Sequence, residues 1–403
     1  MNILFLTIAD IKEIETSSLY KDLLRKFVKE GHNMYVVSPA ERRTHEKTHV
    51  LESMDAKILK VSTLNITRTN VLEKGVATIL IESQYYKAVN HYWGNIKFDL
   101  ILYSTPPITF NKLINKIKEK YGAKSYLLLK DIFPQNAVDM GMLKKDSIMF
   151  NFFRKKEKKL YALSDYIGCM SPANLRFVKV HNPEIPDNKL EICPNSIDIK
   201  ANTIHPDKKA IRREFGIPED AMVFVYGGNL GKPQGIDFLL DVLKTNVDKL
   251  DRYFLIVGKG TEYNKISEWV TSLGVKNVKL LPFVPKEKYN YLISSGDVGL
   301  VFLDRRFTIP NFPTRVMGYL LHRMPVLSAT DPVTDVGTLV EENGCGFWVE
   351  SGDLAKFNDC IEWFVVNQDQ LGQMGEKAYS YLLENYEVSV TYNAIMRHFE
   401  CKN

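Results

Sequence analysis

Several features that mark other classes of protein are missing from this sequence. Its five cysteines are scattered and none lies in a Cys-x-x-Cys pair, which indicates reduced thiols in a cytosolic protein rather than a disulfide framework. No apolar run approaches the ~18 residues that a membrane-spanning helix needs. The opening segment MNILFLTIAD is short and lacks the basic leader of a signal peptide, so it predicts a first strand. We therefore expect a cytoplasmic chain without a spanning helix.

Strong charge of one sign is also missing. The 403 residues carry a formal net charge of +5, and no RNA- or DNA-binding motif accompanies it, so we expect no nucleic-acid partner. What the sequence does have is an ordinary apolar content and a length that suits about two domains.

Short apolar runs alternate with amphipathic stretches along the first half of the chain. This pattern predicts strands over Ile3–Thr7, Met34–Ser38, Leu100–Tyr103, Ser125–Leu129 and Tyr166–Met170. Helices such as Ser18–Glu30 and Ile108–Tyr121 lie between them. The polar, proline-interrupted stretch from Pro194 to Pro218 indicates a linker.

The same alternation restarts after the linker. It predicts strands over Met222–Tyr226, Phe254–Val257, Val278–Leu281, Val298–Phe302, Val326–Ser328 and Gly346–Val349. The helices between them include Ile236–Lys244, Tyr263–Leu273, Pro313–Leu321 and Leu354–Val366. Buried strands separated by helices indicate parallel sheets, so we predict an α/β protein of two doubly wound, Rossmann-like domains at residues 1–200 and 201–385, followed by a last helix at 386–403.

A glycine-rich segment follows the first strand of the second half. Gly227–Gly235 reads GGNLGKPQG, and its glycines would let backbone N–H groups approach a phosphate closely at the start of a helix. Lys232 could add a full positive charge to the same group. A tight structural turn has the same composition, so this segment alone leaves both interpretations open.

Two further strand ends carry similar marks. Ile256–Gly260 reads IVGKG, and in FPTRVMGYLLHRMPV the residues Thr314 and Arg315 open a helix. Because the carboxyl ends of parallel strands meet at one edge of the sheet, we expect these motifs to converge on one ligand site. The alternative for Arg315 is an arginine on an exposed helix surface.

Taken in order, the motifs resemble a known family. GGNLGKPQG, IVGKG, LPFVP, FPTRVMGYLLHRMPVLSA and GFWV, with STPP, KDIFPQNAVDMG and CPNSID in the first half, are similar to the family 4 glycosyltransferases of retaining GT-B architecture. Within that family they resemble the bacterial enzymes that build O-antigens and capsules, including the N-acetyl-L-fucosamine transferases. The resemblance covers nearly the whole chain.

The resemblance implies a function and its partners. Two domains would face a cleft, and the last helix would cross back to the first domain. A sugar would move from a nucleotide-sugar co-substrate, expected to be a UDP-sugar, to a polyprenyl-diphosphate-linked acceptor, with no separate cofactor. Such an enzyme would work at the inner face of the plasma membrane.

The donor-side residues follow from the motifs and the resemblance together. Lys232 and Arg315 would stabilise the negative charge that builds on the diphosphate leaving group, and no Asp-x-Asp motif is present to hold a metal for that purpose. The full expected donor set is Gly228, Asn229, Gly231, Lys232, Gly258, Val284, Thr314 and Arg315.

The sequence departs from the family at several of these positions. Asn229 and Gln234 stand where most members carry Arg and Lys, and Pro310 and Gly318 stand where members carry a Glu-x7-Glu pair. The glycine loop that follows the first strand in the family is replaced by Ile11–Thr16.

The first domain should bind the acceptor. Asp131 follows a buried strand, where it could accept a hydrogen bond from the acceptor hydroxyl as a catalytic residue, or cap a helix or turn instead. Glu13 and Glu15, in the first strand-to-helix loop, could also face the cleft, and the sequence does not rank them.

One motif competes with this interpretation. His45, Glu46 and His49 match the His-Glu-x-x-His pattern of zinc enzymes, which requires a helix that puts both histidines on one face. The flanking residues are polar and offer no apolar stripe, and Glu73 is a third ligand only by distance. We therefore interpret the segment as a polar loop and expect no metal.

A basic run follows an apolar one in the first half. Phe152 and Phe153 precede Arg154–Lys159, which includes Lys155 and Lys156. The phenylalanines could enter an anionic leaflet while the lysines meet its head groups, with Met149, Phe153 and Lys156 on one face. The alternative is a solvated helix face.

Two other functions remain open from the sequence. A GT-B nucleotide-sugar epimerase would need a denser set of cleft acids and no lipid acceptor. A non-catalytic or partner-dependent subunit that binds nucleotide or glycan is favoured by Gly318 and by the altered glycine-rich turn.

Overall fold

Strands and helices alternate through two units of the computed structural model, which describes residues 1–67, 69, 71–202 and 207–399. Unit 1 comprises Met1–Asp198 and the stretch that begins at Val388, and unit 2 comprises Ile199–Glu387. The structure thus groups the last described helix with the first domain. The end of the chain, including Cys401, lies outside the described residues. The four described cysteines are free thiols.

Unit 1 is built on an eight-stranded sheet. Its strands are β1 (Asn2–Leu6), β2 (Asn33–Glu41), β3 (His49–Ser53), β4 (Ala56–Thr63), β5 (Leu100–Ser104), β6 (Lys124–Leu129), β7 (Tyr166–Cys169) and β8 (Leu190–Ile192). Their order across the sheet is β3-β4-β2-β1-β5-β6-β7-β8. The neighbours are parallel except β3 and β4, which form an antiparallel hairpin.

Helices cover both faces of this sheet. They are α1 (Leu19–Lys29), α2 (Val71–Trp93), α3 (Asn111–Tyr121), α4 (Gln135–Asp139), α5 (Ile148–Leu163), α6 (Pro172–His181) and α16 (Val388–Met396). Helix α1 begins where Ser18 Oγ accepts the Lys21 N–H at 3.4 Å, and it buries Leu24 and Phe27 completely. Tyr392 of α16 packs its ring 5.1 Å from that of Phe27.

Unit 2 contains a six-stranded, wholly parallel sheet. Its strands are β9 (Met222–Asn229), β10 (Arg252–Lys259), β11 (Val278–Leu281), β12 (Val298–Phe302), β13 (Val326–Thr330) and β14 (Gly346–Glu350). Its helices are α7 (Ile199–Asn202), α8 (Lys208–Glu214), α9 (Ile236–Thr245), α10 (Tyr263–Leu273), α11 (Lys286–Ile293), α12 (Arg315–Leu321), α13 (Val336–Glu342), α14 (Leu354–Val366) and α15 (Leu371–Asn385). The strand order is β11-β10-β9-β12-β13-β14. The burial of strands such as β12 along their whole length explains their continuous apolar runs.

Four parts of this architecture differ from the sequence-based predictions. The stretch from Pro194 to Pro218 is not wholly irregular, because it carries α7 and α8. The hairpin of β3 and β4, the strand β8 and the long helix α2 had no predicted counterpart. In the described part of the chain, no helix combines the length and the apolar character that crossing a bilayer requires.

Candidate functional site

The strand order of unit 2 reverses between β9 and β12. From β9 the chain runs outward through β10 to β11, and it then returns to β12 on the other side of β9. Loops that leave the carboxyl ends of such a pair diverge and open a crevice, where ligands of doubly wound sheets bind. The glycine-rich segment leaves β9 at this position, as the sequence predicts.

Glycines allow the ends of β9 and β10 to approach closely. Gly258 pairs with Gly228 in the sheet, and a Cβ atom on Gly258 would lie 1.9 Å from the Gly228 carbonyl oxygen. Gly228 itself has a φ of +119°, a conformation that side chains disfavour. The two strand ends therefore present bare backbone at the edge of the sheet, and Gly228 and Asn229 are exposed there.

Arg315, the first residue of α12, lies over this edge. Its guanidinium carbon is 4.4 Å from the centre of the Tyr226 ring, and Nη2 donates a hydrogen bond to Gln234 Oε1 in the glycine-rich turn. A Cβ atom on Gly228 would be 3.7 Å from the guanidinium. The other terminal nitrogen, Nη1, is buried and has no hydrogen-bond partner among the described residues. A buried cationic N–H without an acceptor is costly, so this atom is suited to an anionic ligand.

Three tyrosines support Arg315. Tyr319 Oη accepts the Gly227 N–H at 3.0 Å and donates to the Leu300 carbonyl at 3.2 Å, which ties α12 to β9 and to the middle of β12. Tyr226 Oη donates to the Asn229 carbonyl at 2.7 Å. Burial raises the pKa of Tyr319 well above its ordinary value.

Tyr289 completes this cluster. A Cβ atom on Gly227 would lie 1.9 Å from the Tyr289 hydroxyl, and burial raises the pKa of Tyr289 to about 12. The phenols are therefore neutral near pH 7, and they surround the arginine without cancelling its charge.

The remaining donor-side residues lie in the loop after β9, in the loop after β11 and just before α12. Lys232 is exposed on a single 3₁₀ turn, Lys232–Gln234, and not at the start of an α-helix. Gly231 is buried beside the Asn229 side chain. Thr314 is exposed before α12, and its side chain makes no capping hydrogen bond.

Val284 lies farther out, in the loop after β11. The neighbouring Phe283 ring is 3.6 Å from Lys259 Nζ at the end of β10, which links that loop to the same edge. The structure therefore brings Gly228, Gly258 and Arg315 together, with the turn joined through Gln234. The sequence-based set missed the tyrosines and the bond to Gln234, because their contacts join residues far apart in the chain.

In unit 1, Asp131 follows β6 and is held by local contacts. Asn136 Nδ2 donates to its two carboxylate oxygens at 2.7 and 2.8 Å. Thr105 Oγ1 accepts the N–H groups of Lys130 and Asp131 at 3.1 and 3.2 Å, which joins the loops after β5 and β6. Burial raises the pKa of Asp131 to about 6 and lowers that of Lys130 to about 8.

Glu13 and Glu15 are also engaged within unit 1. Glu13 pairs with Lys21 and accepts the Thr16 N–H at 2.9 Å. Burial opposes its ionisation, but the hydrogen bonds from Lys21 and Thr16 outweigh burial and lower its pKa to about 2. Glu15 accepts a hydrogen bond from Ser53 Oγ at 2.7 Å. Both carboxylates hold the loop after β1 in place.

The His-Glu-x-x-His segment is not helical. His45 has a φ of +56° after a 3₁₀ turn, Glu46 pairs with Lys12 at 2.7 Å, and His49 begins β3. Glu73 pairs with Arg42 at 2.8 Å. Among the residues that the structure describes, no group of three or more His, Cys, Asp or Glu side chains could hold a metal ion.

Helix α5 places its two phenylalanines differently. Phe153 is partly buried and packs its ring 5.0 Å from that of Phe133 inside unit 1. Phe152 is 41% exposed, Lys155 is exposed, and Lys156 Nζ lies 5.7 Å from the Phe152 ring centre. Membrane contact by Phe152, Phe153, Lys155 and Lys156 therefore stays a prediction, and Phe152 is the more exposed of the two aromatic rings.

Comparisons with known proteins agree with the geometry of unit 2. Residues 207–381 match the family "Glycosyl transferases group 1". The chain is 24% identical over 342 residues to the Pseudomonas aeruginosa protein named "Probable glycosyltransferase WbjE", covering 84% of this chain and 82% of that protein.

Two solved structures show the same fold. Anabaena HepE in complex with UDP has a TM-score of 0.69 at 16% identity, covering 99% of both chains. WaaG, a glycosyltransferase involved in lipopolysaccharide biosynthesis, has a TM-score of 0.68 at 14% identity, covering 98% of this chain and 99% of that one. The predicted α/β fold class of GT-B type is confirmed.

Proposed function

We propose, from the support that these matches give to a group 1 glycosyltransferase, that the chain moves a sugar from a UDP-sugar to a lipid-linked glycan acceptor. Its product would enter a surface polysaccharide such as capsule or O-antigen, and the reaction would run with retention and without a metal. The acceptor would be a polyprenyl diphosphate at the cytoplasmic face of the plasma membrane. The resemblance to WaaG, a glycosyltransferase involved in lipopolysaccharide biosynthesis, supports the class of product.

The observation that carries this proposal is the buried Nη1 of Arg315, which has no hydrogen-bond partner in the described part of the chain. Charge develops on a diphosphate when the anomeric C–O bond of a nucleotide sugar breaks, and fixed donors aimed at that charge stabilise the transition state. Tyr226 and Gln234 already hold the guanidinium, so little reorganisation is needed when the diphosphate arrives. The bare edge at Gly228 leaves room for phosphate oxygens beside it.

This arrangement also accounts for the departures in the glycine-rich turn. Family members carry their cations within the turn, whereas here Asn229 and Gln234 are neutral. The Gln234 side chain instead accepts a hydrogen bond from Arg315, so the charge is supplied by α12. Exposed Lys232 would add a second, mobile charge.

On the acceptor side, Asp131 is the candidate for the group that accepts a hydrogen bond from the attacking hydroxyl. Its pKa of about 6 places it near the range in which a carboxylate exchanges protons at physiological pH. Glu13 and Glu15 would shape the acceptor site through the loop after β1.

A non-catalytic subunit that binds nucleotide remains the second candidate, and Gly318 is the observation that favours it. A Cβ atom there would make only an ordinary 3.7 Å contact with Ile293, so space does not demand glycine. The missing family carboxylate is therefore not imposed by packing. Measuring UDP-sugar hydrolysis and sugar transfer by the purified chain separates the two candidates.

The binding assignment is tested by titrating UDP, GDP and ADP into the wild-type chain, Arg315→Ala and Lys232→Ala. Removing one charged hydrogen bond should weaken diphosphate binding by about 1.5–3 kcal/mol. Arg323→Ala is the matched control, because Arg323 lies in the same unit 3.9 Å from the Tyr379 ring and pairs with Glu376 at 2.8 Å. Unchanged affinity in both test variants would reject the assignment.

A further inference from the structure

Helices α2, α3 and α5 line a pocket of about 440 Å³ on unit 1, and its lining includes none of the residues assigned above to donor and acceptor. Four lysines line it: Lys87, Lys112, Lys116 and Lys156. None of these four ammonium groups forms an ion pair within the part of the chain that the structure describes. The pocket is therefore strongly basic, although the chain as a whole carries little net charge.

One carboxylate, that of Glu82, also lines the pocket, but it already accepts hydrogen bonds from the backbone. Its Oε1 accepts the backbone N–H groups of Lys112 and Leu113 at the start of α3, the second at 3.1 Å. It therefore satisfies the helix end and is not bonded to the lysines. An anion that enters the pocket would meet four cations and one engaged carboxylate.

Aromatic rings hold two of the lysines. Lys116 Nζ lies 4.2 Å from the centre of the Tyr86 ring, and Lys156 Nζ lies 5.7 Å from that of Phe152. The face of an aromatic ring attracts an ammonium group that lies within about 6 Å of its centre. Aromatic rings and ammonium groups therefore lie side by side in the wall of the pocket.

Exposed apolar side chains border the pocket on two helices. On α2, Val76, Ile79 and Leu80 follow a helical spacing and are 50%, 57% and 41% exposed. On α5, Ile148 and Met149 are 92% and 54% exposed, one turn before Phe152. Because Ile79 and Phe152 line the same pocket, these side chains form one apolar rim beside the four lysines.

The position of the rim agrees with a role near the acceptor. Helices α2 and α3 directly follow β4 and β5, and α5 follows β6 after the short α4. The first turns of α3 and α5, which carry Lys112 and the Ile148–Phe152 part of the rim, therefore lie toward the carboxyl edge of the parallel strands, the edge at which Asp131 leaves β6. Ile79 lies about two turns into α2, farther from that edge. A lipid surface that met the rim would hold a lipid-linked acceptor on the same side of unit 1 as this edge.

We propose that this rim and pocket form a docking site for an anionic phospholipid bilayer, with the apolar rim at the acyl boundary and a phosphate head group among the four lysines. Apolar side chains beside lysines are the pattern of interfacial helices. The inference deepens the proposed function by naming the surface that the chain would contact. It extends the predicted membrane contact from α5 to a pocket built by three helices.

The test measures cosedimentation of the full chain with vesicles of phosphatidylcholine and of phosphatidylcholine mixed equally with phosphatidylglycerol. We expect binding to the anionic vesicles at low salt, and weaker binding as salt is raised. The triple variant Lys112→Glu, Lys116→Glu and Lys156→Glu should bind on the order of 100-fold more weakly, since each lysine near an anionic surface contributes about one kcal/mol.

The matched control reverses three exposed lysines of unit 2, Lys209→Glu, Lys276→Glu and Lys377→Glu, and therefore changes the net charge equally. It should bind the vesicles as the wild type does. Ile148→Ser with Phe152→Ser, which leaves the charge unchanged, should also weaken binding at least tenfold. Equal loss in the control, or no binding by the wild type, would overturn the proposal.

Binding of a soluble phosphate ester tests whether the pocket serves a free anion or a membrane surface. If glycerol phosphate bound the wild type in a lysine-dependent way while anionic vesicles did not, the pocket would serve a soluble anion and the proposal would be wrong. UDP binding is measured on the same proteins. Vesicle binding without UDP binding would contradict the glycosyltransferase assignment and support the docking site. UDP binding without vesicle binding would contradict the docking site and support the glycosyltransferase assignment.

Discussion

The carboxyl edges of the two sheets are built in opposite ways. In unit 2 the edge is bare backbone at Gly228 and Gly258, beside an arginine nitrogen that has no acceptor among the described residues. In unit 1 the carboxylates of Glu13, Glu15 and Asp131 already accept hydrogen bonds from neighbouring side chains. Two sheets of similar topology therefore end differently. Among the described residues, the edge of unit 2 has a hydrogen-bond donor free for an anion, whereas the carboxylates at the edge of unit 1 are already hydrogen-bonded.

This difference indicates how each half would bind its substrate. A diphosphate would gain a hydrogen bond from Arg315 without breaking one, so the donor side is organised in advance. An acceptor hydroxyl would have to share or replace the Asn136 hydrogen bonds to Asp131, and the gain from such an exchange is small. We therefore expect the donor half to bind its ligand alone and the acceptor half to bind weakly without the lipid surface.

The largest effect on stability and binding should come from adding a side chain where the ends of β9 and β10 approach each other in unit 2. In Gly258→Ala the new Cβ would lie 1.9 Å from the Gly228 carbonyl oxygen, and backbone cannot move aside as a side chain can. We expect the free energy of unfolding of unit 2 to fall by about 3 kcal/mol or more, together with loss of UDP binding. Urea denaturation and UDP titration measure the two effects.

Gly372→Ala is the control for that substitution. Gly372 lies in α15 with no atom within 4 Å of an added Cβ, so alanine should stabilise the helix by about 0.5–1 kcal/mol. If Gly258→Ala kept both its stability and its UDP affinity, the close approach of β9 and β10 would not be essential.

A smaller and pH-dependent effect is expected at the closed edge of unit 1. The pKa of Asp131 is raised by burial from 3.8 to about 6, so the folded state holds its proton more tightly than the unfolded state. The resulting stabilisation is complete below pH 3.8 and is lost as the pH rises through about 6. Asp131→Asn cannot ionise, so its stability relative to the wild type should rise by on the order of 1–3 kcal/mol between about pH 4 and about pH 8.

Denaturation curves of both proteins across this pH range measure the difference. Asp55→Asn serves as the control, because Asp55 is exposed in the turn between β3 and β4 and its replacement should change little. A difference between Asp131→Asn and the wild type that stays constant with pH would show that burial does not control this carboxyl group.

The sequence predicts the parallel strands well because their apolar runs are local signals. The predicted Met222–Tyr226 becomes β9, which extends to Asn229 because backbone pairing with β10 continues through the glycines. By contrast, polar residues interrupt the apolar ones in both strands of the β3–β4 hairpin, so neither strand has a continuous apolar run. The helices in the predicted linker are short, and α7 has only four residues, so their periodicity carries little information.

The site could be predicted only in part for a related reason. Glycines and Arg315 stand out because their residue types are suited to phosphate wherever they fold. Gln234, which accepts a hydrogen bond from Arg315, lies 81 residues away in the sequence, and no local pattern pairs the two residues. On α5, both phenylalanines satisfy a lipid-facing pattern, and only the contact of Phe153 with Phe133 shows which one turns inward.

The smallest effect is expected from replacing His45 and His49 of unit 1, because contacts within that unit already fix their segment. Glu46 is bound to Lys12, and His49 Nδ1 lies 2.7 Å from the Lys47 carbonyl, so the ring is already oriented by the loop. The positive φ at His45 breaks the helical spacing that would bring the two rings to one metal. We therefore expect His45→Ala with His49→Ala to leave the metal content and the thermal unfolding temperature of the purified chain unchanged. One equivalent of zinc in the wild type that disappears in the double variant would mean that this edge of unit 1 is open to ligands after all, and the contrast between the two sheet edges would fail.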